Sequence, residues 1–112
     1  MKDYAAMSDA EINASVAKIM FEVNEGIATP YSHRPDAYIY HLNGLHSVKD
    51  YCNNPADAWP IIVDNKIAIA NFTDGNSASW STKWGMVSNF YSEGESPLRC
   101  AMIVFLMMRE GE

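Results

Sequence analysis

Nine consecutive apolar residues, Cys100 to Met108, follow a Ser96-Pro97 pair and constrain this chain more than any other feature. Ser satisfies the free N–H groups of a first helical turn, and Pro carries the fixed φ of that turn, so the pair marks a helix start. Ala101, Met102, Leu106 and Met107 favour a helix over a β-branched strand. A helix over about 97–109 is therefore predicted, with Gly111 where helices commonly terminate. A helix apolar on every side has to be covered on every side. The run is far shorter than the ~20 residues of a membrane span, so that cover comes from protein.

The second helix signal lies near the N-terminus. Ser8 with Glu11 three residues on forms a capping box, and Met7 before the cap can staple onto Ile12. Ile12, Val16, Ile19, Met20 and Val23 then recur at three- and four-residue steps, which predicts an amphipathic helix over about 9–23 that ends near Gly26.

Between these helices the pattern is mixed. Pro30 and Pro35 break periodicity, so 26–36 reads as an irregular loop, and Ala37 to Leu42 alternates as a short strand ended by Asn43 and Gly44. Asn53-Asn54-Pro55 opens a turn, and a short helix is predicted from near Trp59, with Pro60 in its opening turn, to about Asn65. Ile67 to Phe72 and Trp80 to Met86 read as two strands of a hairpin joined by a loop over 73–79, with polar loop from Ser92 to Pro97. Trp59 and Phe72 are expected in the core. The fold class is α+β: two main helices and a short middle helix on a small, mostly antiparallel sheet, in a single domain over 1–112.

Charge narrows the partners. Eight Lys and Arg against 14 Asp and Glu give a net charge of -6, and the basic residues are scattered singly, so direct nucleic-acid binding is disfavoured. Two distant cysteines and no leader-like segment point to free thiols in a reducing cytosol, where the sequons at Asn13 and Asn71 lose their meaning.

No constellation carries chemistry firmly. His41, His46, Asp50 and Cys52 are metal-binding types, but their spacing matches no paired-ligand pattern. Cys52 or Cys100 with a histidine lacks an orienting group, and Asp64-Asn65 and Asp74-Asn76 lack the ligand series of a calcium loop. No catalytic residue, metal or cofactor is assigned. The excess of Met and aromatic residues instead suits a binding surface, with Trp80, Trp84, Tyr38, Tyr40, Leu106 and Met107 as its candidates.

The order Asn53-Asn54-Pro55-Ala56-Asp57-Ala58-Trp59-Pro60-Ile61-Ile62-Val63, then Ile67 and Ile69, a tryptophan strand, and Pro97-Leu98-Arg99-Cys100-Ala101-Met102-Ile103-Val104-Phe105-Leu106 resembles the NinX-type small proteins of lambdoid bacteriophages and prophages. The resemblance covers essentially 8–110 and is weakest over 26–36 and 81–94. It implies a phage-encoded accessory protein in the host cytoplasm and brings no established activity or catalytic residue. The expected function is a non-enzymatic protein-interaction domain whose partner is a host or phage protein, or a second copy sharing one flank of the C-terminal helix. The alternative is a small-ligand or metal binder, or an enzyme, with a site around His41, Asp50, Cys52, Asp57 and Trp59.

Overall fold

The computed structural model describes residues 3–23, 27–30, 38–42, 45–82 and 91–110; residues 5, 21–23, 27–30, 38–42, 45–48 and 110 are described by their backbone. After a short 3-10 turn, Tyr4–Ala6, come helix α1 (Asp9–Val23), strands β1 (Ile27–Pro30), β2 (Tyr38–Leu42) and β3 (Leu45–Lys49), and helix α2 (Pro55–Asp64). Strands β4 (Ile67–Asn71), β5 (Ser77–Ser81) and β6 (Tyr91–Gly94) and helix α3 (Pro97–Glu110) follow. The α+β class and all three helices agree with the sequence. The strands, however, divide between two three-stranded antiparallel sheets, ordered β1-β2-β3 and β4-β5-β6, where one sheet was expected.

The capping box at α1 forms as its sequence requires: Glu11 N donates to Ser8 Oγ at 3.1 Å, and Ser8 N donates to Glu11 Oε1 at 3.2 Å. At α2 the sequence misplaced the start. Asn54 Oδ1 accepts from Ala56 N at 3.0 Å and Pro55 occupies the first turn, so the helix begins there and Pro60 falls inside it. The N–H that Pro60 lacks would have met the Ala56 carbonyl, and both residues are exposed, where water can serve that carbonyl. Lys66 leaves α2 at φ 56, a left-handed position more often filled by Gly, with its N–H on the Val63 carbonyl at 3.3 Å.

Three further corrections concern strands. Residues 27–30 form edge strand β1 rather than loop, with Pro30 at its end, where a missing donor is tolerated. Residues 45–49 pair with β2 although no strand was predicted there. The return strand starts at Ser77, because Gly75 (φ 92) and the Asp74 side chain, accepting from Asn76 N at 3.0 Å, close the hairpin early. Residues 83–86 of the predicted strand lie outside the described residues, and Tyr91–Gly94 is strand rather than loop.

Helix α3 is the hub: α1, α2 and all three strands of the second sheet pack on it, and α1 also packs on β1 and β2. Register puts Ile67, Ile69 and Asn71 opposite Ser81, Ser79 and Ser77, so these six side chains share the face on which α3 lies. The three serines are buried and small, which lets the helix approach closely. Their hydroxyls are not wasted: Ser79 Oγ donates to the Ala68 carbonyl at 2.8 Å and Ser77 Oγ to Asn71 Oδ1 at 2.9 Å. Cys100 to Leu106 and Met108 are all buried, so the chain encloses its own apolar helix, Met107 alone of the run being half-buried. No helix among the described residues is long and apolar enough to cross a membrane.

Candidate functional site

The N-terminal ends of all three helices meet in one polar knot. Asn13, one turn into α1, is buried; its Nδ2 donates to Asp50 Oδ1 at 2.8 Å and its Oδ1 accepts from Cys52 N at 3.0 Å. Asp50 is 1% exposed and also takes Asn53 Nδ2 at 3.2 Å, while its own N–H donates to Asp57 Oδ2 at 2.8 Å. Lys49 Nζ lies 3.5 Å from Asp57 Oδ1. Ser96, capping α3, donates through Oγ to the Cys52 carbonyl at 3.5 Å, and Arg99 reaches back to Asp9 Oδ1 at 2.8 Å and to the Tyr4 and Met7 carbonyls. Acidic groups at the N-termini of α1 (Asp9, Glu11) and α2 (Asp57) are electrostatically well placed, since each end carries a partial positive charge.

Of the sequence-derived alternative site, Asp50, Cys52 and Asp57 do come together here. Their polar atoms are engaged with one another and with Asn13, Asn53 and Lys49, which is the geometry of a strut rather than of a reactive centre. His41 sits in β2, paired with Ile27 and His46, its side chain outside the described residues, and Trp59 points away on α2. Among the described residues no three His, Cys, Asp or Glu side chains are placed to share a metal ion.

Burial is the main cause that raises the Cys100 thiol pKa, only partly countered by a Ser92 hydrogen bond and Arg99. A pKa raised on folding means that stability is intact below the unfolded value and declines as pH climbs through the folded one. Cys100 should therefore resist a thiol reagent at pH 8 in the native protein and react fully in denaturant; equal rates in both states would contradict its burial. The Tyr91 phenol is also raised, first by its hydrogen bond to Glu93 Oε2 at 2.9 Å.

Of the predicted interaction residues, Trp80, Leu106 and Met107 have described side chains. Trp80 is half-buried in β5 opposite Tyr91, and its Nε1 is buried without a hydrogen-bond partner among the described residues. Tyr38 and Tyr40 lie in β2, their side chains outside the described residues, as is Trp84. Leu106 is 1% exposed and belongs to the core. Trp59 and Phe72, expected inside, are 61% and 49% exposed. Trp59 is outside because Ala58, Ile61 and Ile62 supply the buried side of α2, which leaves it on the opposite arc.

That arc is the unusual surface. Pro55, Ala56, Trp59, Pro60 and Val63 are all exposed, so α2 is apolar toward solvent as well as toward the core. The sequence held the signal in plain form, since a helix beginning at Pro55 has no charge outside Asp57 and Asp64. Asn13 carried a signal too: it sits three residues before Val16 in the apolar phase of α1, a polar residue at a core position.

No curated protein matches the chain. The family model described as bacteriophage P22 NinX matches residues 3–109, nearly the whole sequence and every described element up to the last turn of α3, and so this chain belongs to the phage P22 NinX family.

Proposed function

We propose that this phage accessory protein works as a non-enzymatic binding module for another protein, and that the solvent arc of α2 is the surface it offers. One observation carries the reading: a large aromatic side chain, Trp59, stands 61% exposed among Pro55, Ala56, Pro60 and Val63 on a helix whose other side is fixed in the core. Monomeric proteins normally turn polar residues to solvent on such a helix, and an apolar patch ringed by polar residues marks interaction sites. Rigid Trp anchors carry much of the binding energy of protein interfaces, and α2 is held by Ala58, Ile61 and Ile62 without help from a partner.

A photo-crosslinking residue placed at position 59 should give discrete protein adducts in infected cells, while the same residue at the exposed Lys18 of α1 should not. Equal labelling at both positions would count against the reading. Trp59→Ala should weaken that association by about 2 kcal/mol or more, while changing the thermal midpoint little, since an exposed side chain contributes under about 1 kcal/mol to folding.

A further inference from the structure

We propose that strand β4 pairs antiparallel with β4 of a second copy of this chain, an interface separate from the α2 arc. Phe72 N donates to the Asn76 carbonyl at 2.9 Å and Thr82 N to the Lys66 carbonyl at 2.9 Å. With the register between them, this directs the main-chain groups of Lys66, Ala68, Ala70 and Phe72 toward β5. The alternate residues, Ile67, Ile69 and Asn71, aim N–H and C=O away from β5, on the side where β4 is the edge of its sheet. Those outward groups meet no hydrogen-bond partner among the described residues. Edge strands are ordinarily blunted by charge, proline or irregularity. The other described edges carry such marks: β1 ends in Pro30, β3 ends in Lys49, and β6 contains Glu93 and Gly94. Strand β4, Ile-Ala-Ile-Ala-Asn, carries none. What fits its outward row is an extended backbone.

The residues of the strip say which backbone. Turned about a twofold axis at Ile69, the strand sets Ile69 against Ile69 and Ile67 against Asn71, three hydrogen-bonded pairs with about six main-chain bonds in all. Ala68 then lies beside Ala70, and no charge meets its like from Lys66 to Phe72. Lys66 falls at the register position opposite Phe72 of the second copy, and Phe72 opposite its Lys66. Both side chains are exposed, so a cation can settle beside an aromatic ring at each end of the ladder. An extended segment of another protein would satisfy the same main-chain groups; the match of Lys66 to Phe72 at both ends singles out a second copy. The net charge of -6 on each chain opposes approach, but the strip holds no acid, and charges farther apart than about 8 Å are screened in physiological salt.

The test follows the full chain by sedimentation and by amide hydrogen exchange across a concentration series in about 0.15 M salt. The mass should rise reversibly from monomer to dimer. The amides of Ile67, Ile69 and Asn71 should slow as it does, whereas those of Ala68 and Ala70 should be protected at every concentration. Phe72→Lys sets lysine against Lys66 at both ends and should weaken the dimer about tenfold or more, with folding verified by an unchanged near-ultraviolet circular dichroism spectrum. Adding Lys66→Asp should restore the dimer, since Asp tolerates the left-handed backbone at that position. A chain still monomeric at about 1 mM, where even a millimolar Kd would show, would overturn the inference. So would exchange at the three outward amides that is independent of concentration, a dimer indifferent to Phe72→Lys, or a loss that Lys66→Asp leaves unrepaired. A dimer whose protection maps to α2 would also overturn it, placing the second copy on the arc instead. Crosslinks from position 59 test the arc separately, so either reading can fail without the other.

Discussion

Leu106→Asp is expected to abolish folding rather than to separate subunits. The side chain is 1% exposed, in a cluster with Phe105, Met102, Val16 and Ile12. Losing it alone would cost about 2–5 kcal/mol, and a carboxyl group left in its place without partners adds several more. The sum rivals the total stability of a domain, roughly 5–15 kcal/mol. The measurement is near-ultraviolet circular dichroism with urea unfolding: the native signal and the cooperative transition should both vanish. Arg109→Asp, at an exposed position of the same helix, should keep both. A folded Leu106→Asp monomer derived from a wild-type dimer would instead place that flank of α3 in an interface.

The second large effect is expected at Asn13. Its side chain serves the Asp50 carboxyl and the Cys52 N–H at once, both buried, so Asn13→Leu removes two partners while keeping the branched shape. Each group left short in the interior carries a desolvation cost, and about 3 kcal/mol in all is a fair magnitude. It should appear as a lower urea midpoint at unchanged slope. Asn53→Ala, which also loses bonds to Asp50 but sits at the surface, should cost well under half as much. If the two variants lost equally little, the knot would be decoration and α1 would be held by apolar packing alone.

Legibility of the sequence followed the range of the forces involved. Both terminal helices were readable, since caps and periodicity are local: Ser8 with Glu11, and Ser96 with Pro97, define their starts within one turn. The middle of the chain was harder because its outcome depends on partners distant in sequence. Leu45 to Lys49 lacks a strong strand pattern and becomes a strand by pairing with β2; yet Asn43-Gly44 between Leu42 and Leu45 is a two-residue hairpin signal, read too narrowly as a strand end. Trp59 was placed in the core on residue type, whereas the true helix start at Pro55 sets the phase that turns it outward. The polar knot was the least readable part, because Asn13, Asp50 and Arg99 meet across separations that no local spacing encodes.

The hub position of α3 has a consequence for how the protein comes into being on the ribosome. Every other element precedes α3 in the chain, and α1, α2 and the second sheet all pack on it. The Arg99 to Asp9 contact closes a loop of 90 residues, whose entropy is recovered only when both ends are present. Helix α1 can dock on the first sheet as soon as both leave the exit tunnel, but its side that meets α3, and the second sheet, stay exposed to chaperones and proteases until α3 has emerged. Completion of the core is then a late event, because it waits for α3.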